Sequence, residues 1–286
     1  MIKKLLLALI ISPVCFADWS EEISLKRKYS SNETLVSEII EGYELAKNGD
    51  IGAQNNLGLL LENGGKVHRD IIGAMKWYEL AAKQGAVTAQ TRLGNIYIQG
   101  DEVPIDYAKA LKWFTLAANQ GDLFGIYNLG TMYVDGLGVS QDIEKGFQMM
   151  LDAADQGMSG AQLNVAYMFY KGDQVDQNYN KSAHWYRLAA LQNNMEAQVA
   201  LGVHYWNGFG LKQDDVAAYA WFKMAKIQGS KKSASHLESI RPFIPAFKIA
   251  AAEILVAKCR ESGYKDCGQG ENMSAKSKII LEMNEN

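Results

Sequence analysis

The chain has 286 residues, 48% hydrophobic and 21% charged, with a formal net charge of −3. Those proportions are ordinary for a folded globular chain. With no basic excess to neutralise phosphate, nucleic acid is excluded as an expected partner.

Lys3 and Lys4, followed by the apolar run Leu5 to Val14, read as a secretory leader too short to span a bilayer comfortably. Small residues at Cys15 and Ala17 place cleavage before Asp18, so residues 1–17 are the expected signal peptide. Its loss leaves 27 basic and 32 acidic residues, a charge of −5. The alternative is a lipoprotein beginning at Cys15, against which the bulky Val14 argues. The expected location is the periplasm of a Gram-negative bacterium, or the exterior. No later run is long and apolar enough to be transmembrane.

Residues 18–34 are polar apart from Trp19. Glu33 to Asn48 then reads as a helix with Ile39, Ile40, Tyr43, Leu45 and Ala46 apolar. Its end, GYELAKNGD, echoes WYELAAKQG one period later, so residues 18–50 read as an N-terminal segment and capping helix.

Residues 51–230 are a fivefold repeat. The clearest stretch is Asp106 to Gly121, DYAKALKWFTLAANQG, an amphipathic helix with Ala110, Trp113, Leu116, Ala117 and Ala118 as its expected buried stripe. Copies start at Asp70, Asp142, Asn178 and Asp214, always 36 residues apart, and a strict period in that range marks a solenoid. These five starts are all N-cap types, each worth about 1 kcal/mol against alanine. Trp77, Trp113, Trp185 and Trp221 are the expected hydrophobic anchors, each burying roughly 150–250 Å². Before each copy lies a second helix: AQNNLGLLLENG from Ala53, AQTRLGNIYIQG from Ala89, GIYNLGTMYVDG from Gly125, AQLNVAYMFYKG from Ala161 and AQVALGVHYWNG from Ala197. In it Leu57, Leu93, Leu129, Val165 and Leu201 face the partner helix. Gly58, Gly94, Gly130, Ala166 and Gly202 allow a neighbour to approach.

The pattern A-x-x-x-L-G-x-x-Y-x-x-G, a loop valine, a capping aspartate and K-A-x-x-W-x-x-x-A-A-x-x-G resembles the Sel1-like repeat, a relative of the tetratricopeptide repeat. Its best copy is Ala89 to Gly121. The resemblance implies an all-α fold: a right-handed superhelical solenoid of five helical hairpins between capping helices, used for protein–protein interaction.

After Gly229 a sixth first helix begins, then Pro242 and Pro245 break the repeat, so residues 231–267 read as C-terminal capping helices. The last of them, about Ala246 to Cys259, is apolar at Phe247, Ala251, Ile254, Leu255 and Ala257 and resembles the family's C-terminal capping helix. Cys259 and Cys267 flank a turn containing Gly263, and in an exported chain they suggest a disulfide worth roughly 2.5 kcal/mol. The alternative is two free, partly buried thiols. Residues 268–286 read as a disordered or loosely docked tail.

No motif for a nucleophile, a phosphate loop or a metal set appears, so no catalytic residue, metal or cofactor is expected. His184 and His204 share one repeat, but His204 takes the place of Leu60, Ile96, Met132 and Met168 at the edge of the core. Glu62 and Asp135 lie in non-adjacent repeats and make a poor acid–base pair.

Opposite Leu57 on the helical wheel lie positions 52, 55, 59 and 62 and their equivalents. In the related tetratricopeptide architecture that side lines a groove. There the fold does not require Phe124, Tyr127, Tyr167, Tyr170 or Trp206, and aromatic anchors are typical of recognition surfaces. Asn95, Asn128 and Asn164 are candidate partners for a bound backbone. The alternative is that a tight superhelix buries some of these rings.

The expected function is a non-enzymatic adaptor of the cell envelope, gripping a segment of another protein, whether an envelope component or a secreted effector. The rivals are an immunity or inhibitor protein and a hydrolase of cell wall or penicillin-type ligands. Cysteine-rich members of the family suggest the last, but their paired cysteines are absent from these repeats.

Overall fold

The computed structural model describes residues 33–64, 69–172, 174–265 and 267. The leader, Trp19, the loop residues Val67 and His68, and the tail lie outside the described residues. Among the described residues there are thirteen α-helices, one 3₁₀ turn and no strand. The order is α1 (Glu33–Lys47), α2 (Ile51–Asn63), α3 (Ile71–Lys83), α4 (Val87–Gln99), α5 (Tyr107–Asn119), α6 (Leu123–Asp135) and α7 (Ile143–Asp155). There follow α8 (Ser159–Lys171), α9 (Tyr179–Leu191), α10 (Met195–Asn207), α11 (Asp215–Ile227), α12 (Lys231–Ile240), the 3₁₀ turn Arg241–Phe243 and α13 (Ala246–Glu261). The chain forms two compact units. Of the described residues, one holds those up to Met132 and Gly136–Ser140; the other holds Tyr133–Asp135 and those from Gln141 onward.

Each repeat is a hairpin of two 13-residue helices. The second helices begin on side-chain caps: the carboxylate or amide oxygens of Asp70, Asp106, Asp142, Asn178 and Asp214 accept from backbone N–H groups one turn on. Most first helices are capped too, by Asp50, Asp122, Asn194 and, for α12, Ser230. Each loop is closed where the N–H of the capping residue donates back to the first helix, as from Asp106 to the Tyr97 carbonyl at 2.9 Å. Asn193 occupies the left-handed region at φ 63°, where the other repeats use glycine.

Within the hairpins the small residues admit a ring. A Cβ on Gly94 would stand 2.5 Å from the Phe114 ring, and one on Gly58 equally close to Tyr78. The position after the tryptophan, or after Met149 in the third repeat, is held by Tyr78, Phe114, Met150, Tyr186 and Phe222, each of them buried. That position corrects the expected stripe. Phe114 is fully buried and Leu116 is exposed, because Ala110, Trp113, Phe114 and Ala117 follow i, i+3, i+4, i+7 while Leu116 sits on the far side. Trp77, next to the N-terminal cap, is only half-buried and meets Tyr43 edge-on at 5.7 Å. In that cap Ile39, Tyr43 and Ala46 are buried, but Leu45 is exposed.

A second recurring feature is polar. The first-helix glutamines Gln54, Gln90, Gln162 and Gln198 are buried, and each donates to an alanine carbonyl of the preceding helix. Each also accepts from the glutamine at the end of its own hairpin: Gln84, Gln120, Gln192 and Gln228, every bond 2.8 Å. Lysines cover the hairpin edges, with Lys109 over Tyr97, Lys145 over Tyr133 and Lys181 over Phe169.

In the second unit α12 and α13 both pack on α11. The buried Ser233 hydroxyl donates to the Phe222 carbonyl, and His236 stacks on the Phe222 ring at 4.8 Å. Lys248 pairs with Asp215 and Lys223 with Glu253. The buried face of α13 is Ala252, Val256 and Cys259; the apolar Phe247, Ala251, Ile254 and Ala257 are exposed, with Phe247 73% accessible. The break at Pro242 and Pro245 resets the helix, so its face follows its docking on α11 and not the period. Cys259 and Cys267 are joined by a disulfide.

Candidate functional site

In the first unit Phe124 is 58% exposed, while Tyr127 and Asn95 are half-buried. The Asn128 amide donates to the Phe124 carbonyl of its own helix at 2.8 Å. Thr91, at an equivalent position, is buried and donates to Asp122, the cap of α6. Much of this helix face is thus used for local hydrogen bonding.

In the second unit several of the expected residues converge. Leu163, Asn164 and Tyr167 from α8 and Glu196 and Val199 from α10 line one groove of about 520 Å³. Tyr167 is 52% exposed and is its most accessible ring. Met195 and Ala200 join from α10, Tyr186 from α9, and Gly229, Ser230, Lys231 and Lys232 from the start of α12. Tyr170 and Trp206 do not line it. Both are half-buried, and the Tyr170 ring packs among Tyr179, His204 and Phe209 at 5.5–6.1 Å.

Sequence reasoning missed Tyr186, Lys231 and Lys232. The signal for the lysines was the period itself: Lys232 stands 36 residues after Glu196. Tyr186 belongs to a second helix, which wheel arguments on the first helix cannot reach.

Tyr186 has an instructive counterpart in the first repeat. There Tyr78 donates to Glu62 at 2.6 Å, and Arg92 reaches the same carboxylate at 3.3 Å. Burial, then Glu62, pushes the Tyr78 phenol far above its ordinary range. Three repeats on, the residue in the place of Glu62 is Tyr170, whose ring turns into the aromatic cluster. Tyr186 is 4% exposed and, among the described residues, its hydroxyl makes no hydrogen bond, while the residue borders the groove. Burial raises its phenol as well, keeping it protonated and a donor.

His204 is buried, its Nδ1 at 2.9 Å from the Ala200 carbonyl and its Nε2 at 3.1 Å from the Ser182 hydroxyl. Nδ1 therefore carries the proton and Nε2 accepts from Ser182. His184 lies edge-on to Trp185 instead. Among the described residues no three His, Cys, Asp or Glu side chains converge as a metal site, and no helix is long and apolar enough to cross a membrane. The groove is lined by apolar and polar side chains and by two lysines that make no ion pair among the described residues. Chemically it is suited to binding.

The Sel1 repeat matches residues 51–85, 87–122, 124–158, 159–194 and 196–230. Among solved structures, a protective antigen of uropathogenic Escherichia coli strains is 29% identical, with a TM-score of 0.64 over 86% of this chain and 57% of that one. A Sel1 repeat protein from Oxalobacter formigenes is 31% identical, with a TM-score of 0.65 over 71% of this chain and 59% of that one. An immunity protein from Pseudomonas aeruginosa is more distant, at 18% identity and a TM-score of 0.49 over 76% and 83% of the two chains. The chain spans less than three-fifths of the length of the first two. No curated protein matches it. Five matched repeats covering more than half of the residues establish that the chain belongs to the Sel1 repeat family, whose members are generally non-catalytic scaffolds for protein–protein interaction.

Proposed function

We propose that the chain is an exported interaction module of the bacterial cell envelope that captures a segment of a partner protein in the groove of repeats four and five. The observation that carries this reading is the exposed Tyr167 ring beside Leu163, Val199 and Met195. An accessible ring on an apolar floor is the kind of anchor that dominates binding energy. Rigid hairpins hold the groove in place beforehand, which lowers the ordering cost of association. Export is supported by the charged and apolar leader and by the Cys259–Cys267 disulfide, a bond characteristic of oxidising compartments.

Site-specific photo-crosslinking in the living envelope tests the proposal. A photoreactive residue at position 167 should give a discrete protein adduct that Val199→Arg removes. A photoreactive residue at the exposed Lys76 should not give it. Identical adducts from both positions would remove the groove from the function.

A further inference from the structure

The groove holds a donor that the fold leaves unused. In the first repeat the fold itself supplies a carboxylate to the buried tyrosine of the second helix, from Glu62 to Tyr78. In the fourth repeat the hydroxyl is kept, on Tyr186, and the carboxylate is not. The repeats also show that the hydroxyl is dispensable for packing, because Phe114 and Phe222 fill the same place. The Tyr186 hydroxyl is not sealed from solvent where the residue borders the groove, so it is available to a ligand, whereas phenylalanine would fill the space without it. Lys231 and Lys232 border the same groove at the N-terminus of α12, and neither makes an ion pair among the described residues. Three donors, two of them cationic, thus border a cleft that also carries Leu163, Tyr167, Met195 and Val199, with Glu196 its one acidic lining residue.

Building on the groove reading, we infer that the captured partner segment carries an aspartate or glutamate next to an apolar residue. The carboxylate takes the role Glu62 plays in the first repeat, accepting from the Tyr186 hydroxyl and the ammonium groups of Lys231 and Lys232. The apolar neighbour lies on Tyr167 and Val199. Glu196, on the same rim, disfavours a second acidic residue at its own end and so orients the segment.

The test pans a library of random twelve-residue segments, displayed within a loop so that no chain end is free, against the full chain. The best binder is then synthesised with its acidic residue as Glu and as Gln. The expected result is enrichment of Asp or Glu beside Phe, Leu or Ile, with the Gln version weaker by about tenfold or more, as a lost charge-assisted hydrogen bond implies. Tyr186→Phe and the double variant Lys231→Ala, Lys232→Ala should each narrow that Glu–Gln gap, with unchanged melting temperature. Segments that require Tyr167 but bind equally as Glu and Gln overturn the acidic partner and leave the groove reading standing. Segments indifferent to Tyr167→Ala, or no enrichment at all, overturn both. A parallel library with free C-termini that binds only through the terminal carboxylate also overturns the side-chain assignment.

Discussion

The side-chain amide of Gln228 donates to the side-chain oxygen of Gln198 at 2.8 Å, and Gln198 donates onward to the Ala190 carbonyl at 3.3 Å. One buried amide thus ties the end of its own hairpin to the helix before it. Four of the five repeats do this; the third carries Ile126 in place of the buried glutamine, and there Gln156 turns back to the Asp152 carbonyl instead. Gln198→Ala removes the middle of the relay and leaves the Ala190 carbonyl with its backbone donors alone and a gap where the buried amide sat. It should lower unfolding free energy by about 1–3 kcal/mol. Gln228→Ala, which cuts only the exposed end, should cost clearly less. Chemical denaturation of both variants checks the order.

The contact between Gly94 and Phe114 sets a second expectation. Alanine at position 94 gains helix propensity of about 1 kcal/mol. Against that, its Cβ would meet a fully buried ring at 2.5 Å, and overpacking costs typically about 1–3 kcal/mol. Gly94→Ala should therefore destabilise. Phe114→Leu in the same chain should recover part of the loss by making room. Thermal melts of the single and double variants measure this coupling.

Tyr78 and Tyr186 occupy the same place in two repeats and should respond oppositely to the same change. Tyr78→Phe leaves the Glu62 carboxylate without its phenol and should cost about 1.5–3 kcal/mol, the range for hydrogen bonds to charged groups. Tyr186→Phe removes a hydroxyl that makes no hydrogen bond among the described residues, so stability should hold or rise slightly. Equal losses at the two positions would mean that Tyr186 has a structural partner after all.

His204 makes the second unit sensitive to acid. Burial lowers its pKa, partly offset by the bond to the Ala200 carbonyl. The unfolded chain, with an imidazole near about 6.5, therefore binds a proton before the folded one does. Stability from this group is complete above that value and falls as pH drops through it toward the depressed folded value. The groups around it are Tyr170, Tyr179, Tyr186, Phe209 and Ser182, none of which is an anion that would hold the charge. His204→Met, the residue found at positions 132 and 168, should flatten the stability profile between pH 7 and pH 5, as measured by melting temperature against pH.

The sequence by itself determined the hairpins and their period. Capping residues, glycine stops and the leucine–glycine pairs are local signals; the capping residues recur in all five internal copies and the leucine–glycine pair in four. It also identified first-helix residues that line the groove, because a helical wheel needs only the rise and turn of one helix. Three matters required the tertiary structure. The second-helix stripe was misjudged by one position at Leu116, since alanines on both sides blur the wheel and only the Phe114 ring against Gly94 fixes the face. The face of α13 follows its docking on α11, not the period that Pro242 and Pro245 end. Lastly, Tyr170 and Tyr167 look alike as sequence. Tyr170 turns into the cluster around His204, while Tyr167 stays open to the groove. Which ring is buried depends on neighbours such as Tyr179 and Phe209, brought together by the folded chain, and no single helix contains that information.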